Sequence, residues 1–509
     1  MTHTFNLIDQ PWIPIVWRSG DVEEVNLHHL LINAHEIQDI CADTPVESAA
    51  ILPLLLAILQ RVFQPMDEDA WETLWQNGAF PVDPIETYLD QWYDRFDLFH
   101  PERPFYQARD ERVKSKSVLY LAEAIANTHT IFDHRTEATT DALNPPQAAR
   151  LLVTAHAFRL GGGKSGNQTR NFIDSIFARG ILFFASGSTL YETLLLNLLP
   201  YPDDHTMLTK PDDRPIWEAE TPLSERQFAS KQTYATPKGY LEYLTWQTNH
   251  ILLLPEDGLD GTIVREITIA PIMPIDPSVF SPQKAYRARK DKKGQIEAWP
   301  FKYFSTDKAL WRDYDTMIML GDDDLRPPAV VEWFSVLTNM GVLNEDRQIQ
   351  LMATGMLADQ AKPMFYRKEY MPLPASLLND EYIAYVSNAL TQAEEVAKAL
   401  KDALMKLAEL VLMRGGDLAP DKADRDKLID QWDVVTQFWA LLEPEFTRFL
   451  TVLGQRDLSA MDRWQDELRK SARTALNEAG KMSGTHAAAL RGQVVAERVL
   501  NSGLKKIIS

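Results

Sequence analysis

Apolar and polar positions alternate in two different rhythms along this chain, and the change falls near residue 375. Before it, short apolar runs read as strands at Ile181–Ala185, His250–Leu254, Thr262–Ile269 and Met317–Leu320. Helical spacing appears at about 83–97, 117–126 and 144–160. The first thirty residues read as strand, turn at Ser19-Gly20-Asp21, and strand. A helix begins behind Thr44-Pro45-Val46-Glu47, where Thr44 can cap, Pro45 suits the first helical position and Glu47 completes a capping box. No βαβ rhythm runs through this half, so the pattern predicts α+β rather than a doubly wound sheet. From Asn379 onward strand signals vanish. Four helical stretches follow at about 379–414, 423–452, 458–480 and 485–507, separated at Gly415-Gly416, Gly454 and Gly480/Gly484. Leu400, Leu404, Leu407, Leu410 and Val411 lie at three-to-four spacing, which predicts a four-helix bundle. The expected division is therefore a mixed domain over 1–375 and a bundle over 376–509.

Composition narrows the class. Of 509 residues, 45% are hydrophobic and 24% charged, the mix of a soluble globular protein and not of a disordered chain. The longest apolar run, 49–59, is too short to cross a bilayer. The N-terminus lacks the basic start of a signal peptide. Cys41 is the single cysteine, so neither a disulfide nor a cysteine zinc site can form within the chain, and a reducing cytoplasmic setting is expected. The formal charge of −20 argues against a protein that simply coats nucleic acid. Two segments reverse that sign. Residues 281–312 carry nine basic residues against three acidic, with Tyr286, Trp299, Phe301, Tyr303 and Phe304 interleaved. Residues 462–509 carry nine against five. Either segment reads as an ordinary solvated face or as a surface for a phosphate backbone. In the first, Lys284, Arg287, Arg289, Lys290, Lys292 and Lys293 are the candidate DNA contacts.

Candidate chemistry is sparse. Gly161-Gly162-Gly163-Lys164-Ser165-Gly166 suggests a phosphate loop, the basis of an alternative reading as a nucleotide-dependent hydrolase. That motif needs a glycine where Phe158 stands, and a strand before it where 144–160 reads as a helix. The same loop also reads as a helix end or as a backbone probe flanked by Lys164 and Arg170. His129 and His134 are five apart and do not share a helical face. Asp322-Asp323-Asp324 reads as a loop and helix start. No residue set supplies acid, base and nucleophile together, so neither an enzyme nor a cofactor or metal site is expected.

Four segments carry a resemblance. Asn6-Leu7-Ile8-Asp9-Gln10-Pro11-Trp12-Ile13-Pro14, Arg103-Pro104-Phe105-Tyr106-Gln107, the glycine loop 161–166 and Leu244-Thr245-Trp246-Gln247 occur in the order seen in the large-subunit (CasA) family of the type I-E CRISPR surveillance complex, Cascade. The resemblance covers essentially the whole chain. It implies a non-catalytic subunit that reads a protospacer-adjacent motif (PAM) in duplex DNA through the minor groove. It also implies that the duplex is wedged open to start the R-loop, and that a helicase–nuclease is recruited. The implied partners are the backbone, 5′-handle-binding and small subunits, the crRNA and target double-stranded DNA. The bundle would lie along the displaced strand. Residue by residue, the family's glycine loop falls on Gly161, Gly162, Gly163 and Lys164. Its Asn-Gln-Ala-Ser wedge falls on Asp359, Gln360, Ala361 and Lys362, with Gln360 as the separating residue. Asp359 and Lys362 depart from that pattern: a carboxylate accepts but does not donate, and a lysine adds a cation where the family has a hydroxyl. The family's PAM-proximal lysine falls near Arg265, and a loop resembling its crRNA-handle loop spans about 128–143 with Phe132 at an aromatic position. A chain this acidic is expected to hold DNA weakly alone and strongly once partners supply the positive field.

Overall fold

The structure is a computed structural model. It describes residues 3–64, 67–111, 113–121, 142–163, 171–199, 212–220, 234–344, 347–378, 380–413 and 419–508. The chain forms two compact units. The first comprises residues 1–304, 327–337 and 350–370, and the second residues 305–326, 338–349 and 371–509.

In the first unit, β1 (Ile13–Trp17) pairs antiparallel with β2 (Val22–Val25) and with β3 (Ile37–Ile40), in the order β2-β1-β3. The turn between β1 and β2 uses Gly20 at φ +92°, as its position predicts. Helix α1 (Pro45–Phe63) starts where expected: the Thr44 side chain accepts the Glu47 N–H at 3.2 Å. At 19 residues it outruns the apolar stretch that marks it, and by length and composition it could span a bilayer. Every side chain from Val46 to Gln60 is nevertheless buried in protein, so α1 is the central core helix. Burial of each of Leu54, Leu55, Ile58 and Leu59 contributes roughly 1.5–3 kcal/mol. Helix α2 (Val82–Gln91) continues into a 3-10 turn at Tyr93–Phe96. Helix α3 (Pro145–Phe158) has a complete capping box between Asn144 and Gln147. The expected helix at 117–126 is a 3-10 turn over Val118–Leu121, and residues 122–126 lie outside the described residues.

The strands expected in the middle of the chain are present as β4 (Ile181–Ser186), β5 (Asn249–Gly258) and β6 (Gly261–Pro271), the last two forming one hairpin. β7 (Arg289–Lys290) and β8 (Ile296–Ala298) form a short exposed hairpin. Sequence periodicity missed the longest hairpin, β9 (Gln348–Asp359) with β10 (Lys362–Pro374). β9 is the middle strand of the sheet β10-β9-β4, with Gln350 opposite Ser186 and Gly355 opposite Ile181. Residues 351–356 are buried without alternation, which erases the period-two signal.

The second unit holds the helical C-terminal region: α4 (Asp380–Met413), α5 (Lys422–Trp432), α6 (Val434–Gly454), α7 (Ser459–Met482) and α8 (Ala487–Ile507). The expected helix over 423–452 is broken into α5 and α6 at Asp433, whose φ is +51°. The four long helices make the bundle, with α5 against α4. Leu400, Leu404 and Leu407 are fully buried along α4. α8 runs antiparallel to α4, since Gly503 faces Ala399 and Gly492 faces Leu407. A Cβ on Gly503 would stand 2.7 Å from that of Ala399, so only glycine lets the backbones approach this closely. Gly503→Val is expected to cost about 1–3 kcal/mol through overpacking, read as a lowered melting temperature. The stretch Met317–Leu320, expected as a strand, instead ends the helix Tyr314–Ile318. Tyr314, Met317 and Ile318 form its buried face, a helical spacing that a four-residue apolar run conceals. Just before it, Trp311 packs on Phe446 (4.9 Å between ring centres) and Trp464 (6.3 Å), while Arg312 bonds Glu394 through two nitrogens and lies 3.6 Å over Trp439.

Candidate nucleic-acid interface

Residues 161–163 follow the end of α3 and pair with Phe172. Gly162 N–H donates to the Phe172 carbonyl (3.0 Å), and Phe172 N–H donates to the Gly163 carbonyl (3.1 Å). Gly162 and Gly163 have φ of +138° and +71°. A side chain on Gly161 would meet the Ile173 backbone at 2.6 Å, so the turn needs glycine for space as well as conformation. The element before the loop is helix α3, not the strand that a nucleotide-hydrolysing phosphate loop requires. Lys164 and Arg170 lie outside the described residues, as do Phe132 and residues 128–141 of the expected handle loop.

The expected wedge is the tip of the β9–β10 hairpin. Asp359 ends β9, Gln360 and Ala361 make the turn with Gln360 at φ +55°, and Lys362 begins β10. Asp359, Gln360 and Lys362 are exposed. Although two hundred residues separate them in sequence, the loop and the tip meet: a Cβ on Gly162 would lie 3.1 Å from the Ala361 Cβ. Two charged residues that the sequence reading passed over join them. Asp174 accepts the Gly161 N–H at 2.7 Å and the Arg179 Nε–H at 2.9 Å, and Arg179 in turn donates to the Gln360 carbonyl. Their only signal in sequence is a charge pair in an otherwise apolar stretch just after the glycine loop. Tyr303, 52% exposed, neighbours the same pair. Burial raises its phenol pKa, Arg179 pulls it down and Asp174 pushes it up.

The loop's backbone donors are more committed than the minor-groove argument assumes. Gly161 N–H is taken by Asp174 and Gly162 N–H by Phe172, so these two glycines offer a bare surface rather than hydrogen bonds.

The basic array also needs correction. Lys284, expected among the DNA contacts, is buried, because its ammonium donates to the Ile176 carbonyl (3.0 Å) and sits 4.5 Å over the Phe301 ring. Burial lowers its pKa to about 7, with Asp174 opposing. Between pH 7 and about 10 the unfolded chain therefore binds the extra proton, and native stability attributable to this lysine rises with pH. The melting temperature of the parent relative to Lys284→Met is expected to increase from pH 7 to about 9.5. Arg287, Arg289, Lys290, Lys292 and Lys293 are exposed on and around the β7–β8 hairpin, where Arg289 meets Glu297 at 3.3 Å. Arg265 lies on β6 and pairs with Glu256 at 2.6 Å. Among the described residues, no group of three or more His, Cys, Asp or Glu side chains could hold a metal ion.

A family model, that of CRISPR-associated protein Cse1, matches residues 6–475. The chain belongs to the Cse1 family. CRISPR-associated protein CasA/Cse1 of Thermus thermophilus is 33% identical over 97% of this chain and 96% of that protein. The crystal structure of Thermus thermophilus CasA superposes with a TM-score of 0.82 at 31% identity, covering 99% of this chain and all of that one. Thermobifida fusca Cse1 gives 0.81 at 26% identity, with 99% of each chain covered. A chain of a CRISPR RNA-guided surveillance complex shares the fold, with a TM-score of 0.72 at 18% identity and coverage of 99% and 100%. Within the Cse1 fold, the loop and the hairpin tip thus form one composite surface.

Proposed function

We propose that this Cse1 chain is the non-catalytic large subunit of a cytoplasmic RNA-guided surveillance complex, and that its composite loop-and-tip surface reads the PAM and opens the duplex. The observation that supports this reading is the packing of Gly162 against Ala361 with Arg179 holding the Gln360 carbonyl. A bare glycine surface approaches the floor of a narrow groove closely and responds to its width and shape rather than to individual base edges, so the preference it confers is broad. A rigid turn beside it can enter beneath the first base pair, with Gln360 filling the unstacked space. Asp174 and Arg179 act as positioning residues, fixing the loop and the tip at one spacing. Guide pairing then reads the rest of the target, as in other RNA-guided systems. Backbone, handle-binding and small subunits with crRNA supply most of the positive field, and a helicase–nuclease acts after the R-loop forms.

The test compares target binding by the assembled complex with and without this subunit across a library of flanking motifs. Motif dependence should vanish without the subunit, and Gln360→Ala should lower R-loop yield about tenfold on favoured motifs. Motif-dependent binding that persists without the subunit would sink the reading.

A further inference from the structure

Arg103-Pro104-Phe105-Tyr106-Gln107 and the last residue of Leu244-Thr245-Trp246-Gln247, two segments on which the family resemblance rests, line one cleft of about 620 Å³ in the first unit, and duplex opening gives that cleft no task. Its walls are braced from inside. Gln107 donates to the Leu98 carbonyl and accepts the Leu253 N–H, both at 2.7 Å, and Gln247 donates to the Tyr106 carbonyl at 3.0 Å. Phe105 stacks between Phe96 (5.1 Å) and Tyr106 (4.5 Å). Tyr106 has φ +57°, a left-handed conformation that a bulky residue adopts only when its surroundings force it, and such residues gather at ligand sites.

Cations line this braced cleft. Arg95, Arg103 and Arg109 face it, and an adjoining hollow of about 350 Å³ shares Arg95 and Arg103 and adds Arg214. Arg95 is anchored by a bond to the Ala219 carbonyl (3.1 Å). Among the described residues, Arg103, Arg109 and Arg214 make no side-chain hydrogen bond or ion pair, although the chain as a whole has twenty more acids than bases. Arg95 and Arg103 are neighbours by lining both hollows, and burial, then the charge of Arg103, lowers the Arg95 pKa. Glu102 and Glu220 also line the cleft and Asp94 and Glu220 the hollow, none of them in an ion pair with a described residue, while Glu218, also in the hollow, is spent on Arg61 and Tyr88.

Two neighbouring guanidiniums call for a dianion. A phosphomonoester carries −1.5 to −2 and offers three acceptor oxygens to such forks, whereas a carboxylate neutralises only one. The volume exceeds what a phosphate alone needs and lies in the range of small-molecule sites. We propose that this cleft binds a nucleoside phosphate, with the phosphate between Arg95 and Arg103 and the base along the apolar wall of Phe99, Pro104 and Leu252. This site is independent of the duplex-opening surface. A free nucleotide and the phosphorylated end of a strand share the chemistry.

Calorimetric titration of the purified full chain separates the outcomes. AMP, adenosine, inorganic phosphate, a 5′-phosphorylated trinucleotide and a hexaglutamate peptide serve as probes. Saturable binding of AMP or the trinucleotide is expected, weakened at least about tenfold by Arg103→Glu and by Arg214→Glu, both exposed and unbonded among the described residues. The tighter of those two probes identifies the source. The proposal is overturned if neither saturates below about 1 mM. It is also overturned if adenosine, phosphate or the peptide binds as tightly, or if both variants melt like the parent and keep its affinity.

Discussion

Gly162→Asp is expected to slow R-loop formation by the assembled complex about 100-fold on a favoured motif. Two effects add. The residue sits at φ +138°, where an L side chain costs roughly 1–3 kcal/mol, and its new Cβ would press on Ala361 at 3.1 Å. The loop must shift away from the hairpin tip to relieve that contact. The carboxylate then points an anion at a surface proposed to meet DNA phosphates and base edges, which adds repulsion. At 1.4 kcal/mol per tenfold, about 3 kcal/mol in total gives the stated factor. Gly162→Ala removes the charge and keeps the strain, so it should fall between parent and Asp. Stopped-flow measurement of duplex opening gives the rates, and thermal melting shows whether the chain is still folded. Parent-like rates in the Asp variant would remove the loop from the mechanism.

Arg179→Ala should cost 10- to 100-fold in the same assay, and the loss should disappear on a target whose first base pairs are already open. The guanidinium bonds both the Asp174 carboxylate and the Gln360 carbonyl. Bonds to charged groups contribute about 1.5–3 kcal/mol each, and removing the arginine leaves Asp174 holding only Gly161. The hairpin tip then keeps its sequence but loses its tie to the loop. Arg179→Lys should recover only part of the rate, since an ammonium keeps the charge but lacks the planar fork whose separate nitrogens reach Asp174 and Gln360. A defect equal on closed and pre-opened targets would assign Arg179 to general folding or assembly instead.

The helical half was legible because long amphipathic helices repeat their signal many times. Leu400, Leu404 and Leu407 mark the face of α4, and each is buried. The break at Asp433 was not, because a single left-handed residue leaves the apolar spacing on both sides intact. Strands at the centre of the sheet were the hard case. β9 is buried on both faces over 351–356, so no alternation survives to announce it. Without β9 and β10, the wedge positions rest on resemblance alone, and their meeting with Gly162 belongs to the fold rather than to any local pattern. Asp174 and Arg179 stayed hidden for the same reason, since their value comes from what they bridge. Lys284 shows the converse error: a lysine in a basic run reads as surface until its ammonium is found against a carbonyl and an aromatic ring.

The path of the chain bears on how such a protein can be inherited or rebuilt. Five times it passes from one compact unit to the other, at 304/305, 326/327, 337/338, 349/350 and 370/371. The helical region is therefore not a cassette that one recombination event can exchange. A gene cut at 375 would strand Trp311 and Tyr314, whose aromatic neighbours Phe446 and Trp464 are encoded far downstream. Homologues can drift apart residue by residue, but a bundle borrowed from elsewhere would arrive without the inserts that complete its core. Chimaeras built from relatives should carry residues 305–326, 338–349 and 371–509 as one parental set.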